Sequence, residues 1–159
     1  MYPEELFEEL FAVIAVIIIA LLIGIGLAIM YYLNLQNMLK EIHPSNRTIE
    51  PTNVWLMFIP LFNIVYGFIM YPKITESIKN EYEARGYDDG GNYLKGLGMA
   101  IPILAIVGII PTIGSVASLA GLVVWIIYWV KSAEIKKRLM SSPNEGGNGG
   151  MSSNPDILD

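Results

Sequence analysis

The sequence contains no cysteine, and His43 is its single histidine. The lack of cysteine excludes disulfide bonds, thiolate metal sites and cysteine nucleophiles. A metal site would have to be built from carboxylates around His43, or be shared between chains. We therefore expect no cofactor and no metal centre.

Charged residues are also scarce, since they form 16% of the chain against 53% for hydrophobic residues. The apolar residues stand in long blocks rather than at amphipathic spacing, which is typical of membrane spans and not of a soluble core. The net charge of −5 comes from acids near both ends and does not indicate nucleic-acid binding. The composition predicts an integral membrane protein whose first partner is the lipid bilayer.

Four apolar blocks indicate helices that cross this bilayer. The first holds 24 uncharged residues, about 36 Å of helix against a hydrocarbon core of about 30 Å. We predict an all-α integral membrane protein with four transmembrane helices in one domain over residues 1–140. The spans cover about 10–33, 54–71, 94–110 and 113–130, and the tail 141–159, rich in Gly, Ser and Asn, is predicted to be disordered.

The third and fourth blocks are separated only by the sequence Pro-Thr-Ile-Gly at 111–114. Without this break, 97–130 would form 34 uncharged residues, about 51 Å of helix, which overshoots any bilayer. The favoured interpretation is a tight hairpin of two spans. The alternative is a re-entrant turn that never reaches the far side.

The segment 73–86, between the second and third spans, has the pattern of an amphipathic helix. Its apolar stripe recurs every four residues and consists of Ile74, Ile78 and Tyr82. Glu81 and Arg85 form a favourable i,i+4 pair on the same segment. Two interpretations stay open: the stripe contacts the membrane surface or a partner, or the helix continues span two and packs on 131–140.

Lys and Arg residues beside the spans predict the orientation of the chain. With four spans, the N-terminal segment, the loop between spans two and three and the C-terminal flank share one side. That side holds Lys73, Lys79, Arg85, Lys95, Lys131, Lys136, Lys137 and Arg138, while the other holds only Lys40 and Arg47. We therefore predict a multi-pass membrane protein with both termini and the amphipathic helix cytoplasmic.

The cores of the predicted spans contain no Asp, Glu, Lys, Arg or His. Proton relays, voltage sensors and most charge-coupled transporters need such groups inside the membrane. Intramembrane hydrolysis needs a nucleophile with a base, or a metal, and His43 lies in a loop. We therefore expect no enzymatic activity.

Helix–helix contacts are the remaining candidate sites. Asn63 is the deepest strongly polar side chain, and it bonds either another helix or the carbonyl freed by Pro60. Small residues four positions apart allow backbones to approach closely, and the pairs are Gly24 with Ala28, Gly96 with Ala100 and Ala117 with Gly121. Packing within one chain and association of two chains both fit these pairs.

The stretch 31–86 contains the elements LQNML, NR, VWLMFIPLFN and SIKNEYEARG. It resembles a family of small, uncharacterised four-helix, multi-span bacterial proteins of unknown function. The resemblance implies a bacterial inner-membrane protein, and it brings no activity, ligand or catalytic residue with it.

The function predicted from these observations is that of a non-enzymatic scaffold or accessory subunit. It would act through helix–helix contacts, either by self-association or with another membrane protein. The alternative is an oligomeric channel or small-solute transporter, which spans rich in Pro and Gly permit but no charged ring or polar stripe supports.

Overall fold

The computed structural model describes residues 3–87 and 90–141. This part of the chain is 82% helical and contains no strand, which confirms the all-α class. Its α-helices are α1 (Pro3–Lys40), α2 (Phe62–Ala84), α3 (Lys95–Val107) and α4 (Gly114–Ser141). Two 3₁₀ segments, Pro44–Asn46 and Pro51–Phe58, lie between α1 and α2. The tail predicted to be disordered lies, from residue 142 onward, outside the described residues.

Two of these helices are long and apolar enough to cross a membrane, namely Leu6–Lys40 of α1 and the whole of α4. By contrast, α3 has 13 residues, about 20 Å of helix, which is short for a bilayer. The structure therefore contains two candidate membrane spans, and four complete spans are not established.

The predicted second span, 54–71, does not form a single helix. Its first part belongs to the 3₁₀-helix Pro51–Phe58, and α2 begins only at Phe62. Between them the Phe62 N–H donates to the Pro60 carbonyl at 2.8 Å, across Leu61 with a φ of 65°. This is a γ-turn, which reverses the chain where only a kink at Pro60 was expected. Pro60 favours the break because it disfavours helix at the preceding residue.

The C-terminal ends of α1, α2 and α4 converge at one end of the fold, which we call the polar end (40–50, 72–87 and 131–141). The Arg85 guanidinium joins them, since it donates to the Leu139 carbonyl at 2.9 Å and to the Glu41 carbonyl at 3.2 Å. The loop with Lys40 and Arg47 therefore lies at the same end as Arg85, not at the opposite end as predicted. The physical reason is the turn at Leu61, which brings the chain back.

The main core of the fold lies at this polar end. Ile74, Ile78 and Tyr82 are at most 1% exposed, and they belong to the same buried cluster as α1 residues such as Leu35 and Leu39. The Arg138 guanidinium lies over the Tyr82 ring, 5.2 Å from its centroid. The stripe thus continues α2 and packs on the end of α4. Its use as a membrane-surface or partner helix is wrong, because the chain's own core already covers it.

The helix α1 has two different halves. Its apolar part, from Leu10 to Met30, is almost entirely exposed, while Tyr31, Leu35, Met38 and Leu39 are fully buried. The small residue Gly24 has open space around it, since a Cβ built there would meet nothing within 4 Å. The first half of α1 therefore stands apart from the rest of the described chain.

By contrast, α3 and α4 form a tight antiparallel hairpin. A side chain at Gly114 would collide with the Gly108 carbonyl, so the turn between the helices requires glycine there. Ala117 is 7% exposed, and a Cβ at Gly121 would lie 3.5 Å from the Leu104 Cβ. The small pair Ala117 and Gly121 therefore serves packing within the chain.

We predict that Gly98→Leu destabilises the fold by about 1–3 kcal/mol. A Cβ at Gly98 would lie 3.1 Å from the Tyr71 Cβ and 3.2 Å from Tyr128 Cε2, so a larger side chain overpacks this contact. Gly96→Leu is the matched control on the same helix, because a Cβ there meets nothing within 4 Å. Thermal unfolding in detergent, followed by circular dichroism, compares them, and equal melting temperatures would contradict the prediction.

Candidate functional site

A buried ion pair holds the polar end together. The Glu81 side chain is 0% exposed and accepts hydrogen bonds from Arg85 Nε at 2.7 Å, from Asn46 Nδ2 at 2.7 Å and from the His43 backbone N–H at 2.9 Å. Arg85 Nη2 also lies 2.7 Å from Glu81 Oε1. The carboxylate thereby fixes the loop after α1, while Arg85 fixes the ends of α1 and α4. Both groups are engaged structurally and are not free for chemistry.

The ionisation of Glu81 follows from these contacts. Burial on its own raises the pKa of a carboxyl group, because it disfavours the charged form. The hydrogen bonds from Asn46 and His43 and the charge and hydrogen bond of Arg85 outweigh burial, so the pKa of Glu81 is lowered from its ordinary value. Glu81 is thus held as a carboxylate.

Three buried tyrosines, Tyr31, Tyr71 and Tyr128, form what we call the tyrosine layer at the edge of the polar end. Tyr31 Oη and Tyr71 Oη are 3.1 Å apart, and the Tyr71 and Tyr128 ring centroids are 5.2 Å apart. Trp125 and Trp129 pack against Tyr31 at centroid distances of 5.1 and 5.9 Å. The tyrosine layer therefore marks one common height along the axes of α1, α2 and α4, at which these three helices contact each other.

The chain changes from apolar to charged close to this level. Lys73 follows Tyr71 by two residues and Lys131 follows Tyr128 by three. Lys95 stands three residues before Gly98, which packs on Tyr71 and Tyr128. Aromatic residues and first charges at a shared level are typical of a membrane–water interface.

The histidine and a nearby serine form a local contact. His43 Nδ1 lies 2.7 Å from Ser45 Oγ, and the His43 ring accepts from the Ser45 N–H as the cap of the first 3₁₀ segment. Both side chains are exposed. A hydrolytic pair also needs an orienting group and oxyanion donors. The described side-chain hydrogen bonds of this pair stay within the loop, so the contact is a cap.

Metal coordination finds no support in the described residues. Within 3–87 and 90–141 there is no group of three or more His, Cys, Asp or Glu side chains that could hold an ion. The Glu81 carboxylate, which contacts His43, accepts from the backbone N–H of His43 rather than from its ring.

The candidate contact residues lie in different places. Pro60 lies in the turn before α2 and Asn63 in the first turn of α2, where the Asn63 backbone N–H donates to the Ile59 carbonyl at 3.1 Å. Gly24 and Ala28 lie on the free half of α1, whereas Ala117 and Gly121 pack inside the α3–α4 hairpin. The structure therefore does not bring these residues together in one site.

Sequence reasoning recognised the spacing of Glu81 and Arg85 but not their burial. It also missed a cavity of about 300 Å³ between the loop after α1 and α2, lined in part by Arg47, Glu50 and Lys73. The sequence contains only a weak indication of this cavity, because these charged residues stand directly beside apolar segments. The turn at Leu61 is what brings the loop after α1 and the start of α2 face to face.

We predict that Glu81→Gln lowers the stability of the polar end by about 3–5 kcal/mol at neutral pH, since it leaves the buried Arg85 charge unpaired. Because the folded-state pKa of Glu81 is lowered, its stabilisation is complete above the ordinary pKa and is lost as pH falls through the lowered value. The difference in melting temperature between wild type and variant should therefore shrink below about pH 4.

Glu83→Gln is the control, because Glu83 is exposed and, among the described residues, forms its ion pair with the exposed Lys79. It should change the melting temperature little at any pH. A Glu81→Gln deficit that stays constant down to pH 2 would contradict the role given to the carboxylate.

The resemblance of 31–86 to small bacterial multi-span proteins stays a prediction, and no family can be named for the fold. No family model, no curated protein and no solved structure matches this chain.

Proposed function

We propose that the chain is a non-enzymatic scaffold or accessory subunit of a membrane, with α1 as its one complete crossing. The observation that carries this proposal is the division of α1. A long apolar half, Leu10–Met30, stands free, while the other half anchors a compact polar end. A single exposed apolar helix joined to the compact polar end is suited to binding another helix in the bilayer.

Helix lengths measured from the tyrosine layer support one crossing. Leu10 precedes Tyr31 by 21 residues, about 32 Å of helix, which matches a hydrocarbon core of about 30 Å. Gly114 precedes Tyr128 by 14 residues, about 21 Å, and Phe62 precedes Tyr71 by nine, about 14 Å. With the tyrosine layer at one membrane interface, the α3–α4 hairpin and the pair formed by the second 3₁₀-helix and α2 are both too short to cross. Both pairs therefore turn back inside the membrane.

The distribution of charge supports the same arrangement. All ten Lys and Arg residues of the chain then lie on the side of the polar end, and the N-terminal segment on the other side carries four Glu residues and no Lys or Arg. The positive-inside rule places the polar end in the cytoplasm. The proposed orientation therefore has the N-terminus outside, in contrast to the prediction of two cytoplasmic termini.

The surface proposed for association is the face of α1 around the open Gly24 and the half-buried Ala28. Small residues four positions apart let a second helix approach closely, and Gly24 has open space around it. The partner is a transmembrane helix of a second copy or of another membrane protein. The fully engaged Glu81 and Arg85 fit a structural rather than a catalytic role for the polar end.

The absence of cysteine makes the proposed topology directly measurable. We predict that a membrane-impermeant maleimide labels Glu4→Cys in intact cells and labels Asn92→Cys only after permeabilisation. Leu61→Cys and Ile113→Cys should resist the reagent from both sides, because both turns lie inside the bilayer.

Labelling of Glu4→Cys and Asn92→Cys from the same side would overturn the single crossing by α1. Labelling of Ile113→Cys from outside would show instead that the α3–α4 hairpin crosses completely. Leu61→Cys labelled from outside would restore the predicted second span. Each result thus identifies a different topology.

We also predict that a photo-crosslinking amino acid at Ala28 captures a neighbouring membrane protein in native membranes. Leu22 is the matched control, because it lies about 120° around α1 from Ala28, off the small-residue face, and should capture mainly lipid. Gly24→Ile should lower the capture at position 28 by about tenfold, because a bulky side chain that holds the two helices apart weakens their association by about 1.4 kcal/mol. Equal capture at positions 22 and 28, or none at either, would contradict a scaffold role.

A further inference from the structure

The cavity of about 300 Å³ spans the level of the tyrosine layer. It opens between the segment that enters the membrane side, 47–56, and the first turns of α2 that return from it, 66–73. Its lining changes in character from one end to the other. Arg47, Thr48, Glu50 and Lys73 lie toward the polar end, and Leu56 and Ile69 lie toward the turn at Leu61.

This change occurs over a short distance because α2 passes from Ile69 to Lys73 in about one helical turn, or 6 Å. The cavity therefore offers charged groups to one end of an occupant and apolar surface to the other. An amphipathic molecule lying across an interface has the same division. Neither a free ion nor a wholly apolar molecule would use both ends.

Two of the polar side chains of the cavity, those of Arg47 and Thr48, are held in place by hydrogen bonds. Arg47 donates from Nε to the Ile42 carbonyl at 2.8 Å and from Nη2 to the Lys40 carbonyl at 2.9 Å. Thr48 Oγ1 donates to the Lys73 carbonyl at 2.7 Å, which ties the loop to α2. Among the described residues, the ion pairs involve neither the Lys73 ammonium nor the Glu50 carboxylate. Both charged groups therefore remain available to an occupant.

We propose that this cavity binds a phospholipid with a primary-amine headgroup, of the phosphoethanolamine class. The phosphate lies against Arg47 and Lys73, the ammonium donates to Glu50, and the first acyl carbons lie over Leu56 and Ile69. Two cations beside one carboxylate complement a headgroup that carries one negative and one positive charge. The proposal rests on the proposed function, which places the tyrosine layer at the membrane interface.

The same chemistry separates this headgroup from other phospholipids. A choline headgroup has no N–H to donate to Glu50, and a glycerol headgroup has no cation to pair with it. An anionic lipid would satisfy Arg47 and Lys73 but would lie beside the uncompensated Glu50 carboxylate. The cavity should therefore prefer phosphatidylethanolamine over phosphatidylglycerol and phosphatidylcholine with the same acyl chains.

The test is native mass spectrometry of the full-length protein released from detergent, with each of these three lipids titrated separately. We expect phosphatidylethanolamine to bind at least several-fold more tightly than the other two. Soluble glycerophosphoethanolamine, added in a separate titration, should bind far more weakly, because it lacks the acyl chains that contact Leu56 and Ile69.

Two variants test the contact to the phosphate and the contact to the ammonium separately. Lys73→Gln should weaken binding of all three lipids by up to about tenfold, the effect of one charge-assisted contact. Glu50→Gln should weaken only phosphatidylethanolamine and bring its affinity close to that of phosphatidylglycerol. Neither side chain supports the fold through a described ion pair, and the melting temperature of each variant checks that the protein is folded.

Lys137→Gln and Glu76→Gln are charge-matched controls, since both residues are exposed and outside the cavity lining. Both should leave lipid binding unchanged. Equal losses in the controls, no preference among lipids, or equal binding of soluble headgroup and lipid would each overturn the proposal.

This measurement in detergent does not depend on orientation. Preferential lipid binding together with Glu4 and Asn92 on one side of the membrane would retain the cavity and remove the single crossing. The expected cysteine labelling without a lipid preference would instead retain the single crossing by α1 and overturn the lipid site.

Discussion

The contact on which the described fold depends is the buried ion pair of Glu81 and Arg85. Helix C-termini leave carbonyl groups without intrahelical partners, and Arg85 supplies N–H donors to those of α1 and α4 from its place at the end of α2. Glu81 balances the buried charge and holds the loop after α1 through His43 and Asn46. Because a buried charge is tolerated only when it is paired and hydrogen-bonded, the pair and the meeting of three helix ends require each other.

The reversal at Leu61 follows from this constraint. Since the ends of α1 and α2 meet, the chain between them must go out and return. The outgoing 3₁₀-helix Pro51–Phe58 has eight residues, about 16 Å, and α2 comes back from its far end. The γ-turn at Leu61 and the lack of an N–H on Pro60 make this reversal compact. The two arms face each other across the cavity that we propose as a lipid site.

Much of the local structure could be predicted from the sequence. The apolar run 10–33 lies inside α1, the break at 111–114 separates α3 from α4, and the stripe on 73–86 is helical as its spacing indicates. The second span could not be predicted correctly, because a proline inside an apolar run has the same hydropathy whether the chain kinks or turns back. The outcome at Pro60 depends on what α2 meets later, at residues as distant as Leu139.

The sequence by itself determined that this is an all-helical chain with segments apolar enough to cross a membrane, and that its basic residues avoid those segments. These are properties of composition and spacing within each segment, so they need no knowledge of neighbours. Only the tertiary structure decided that the loop after α1 and the loop after α2 lie at the same end of the fold. It also decided that Ile74, Ile78 and Tyr82 belong to the core and that Glu81 is buried. These features depend on contacts such as that of Arg85 with Leu139, 54 residues away, which no local pattern encodes.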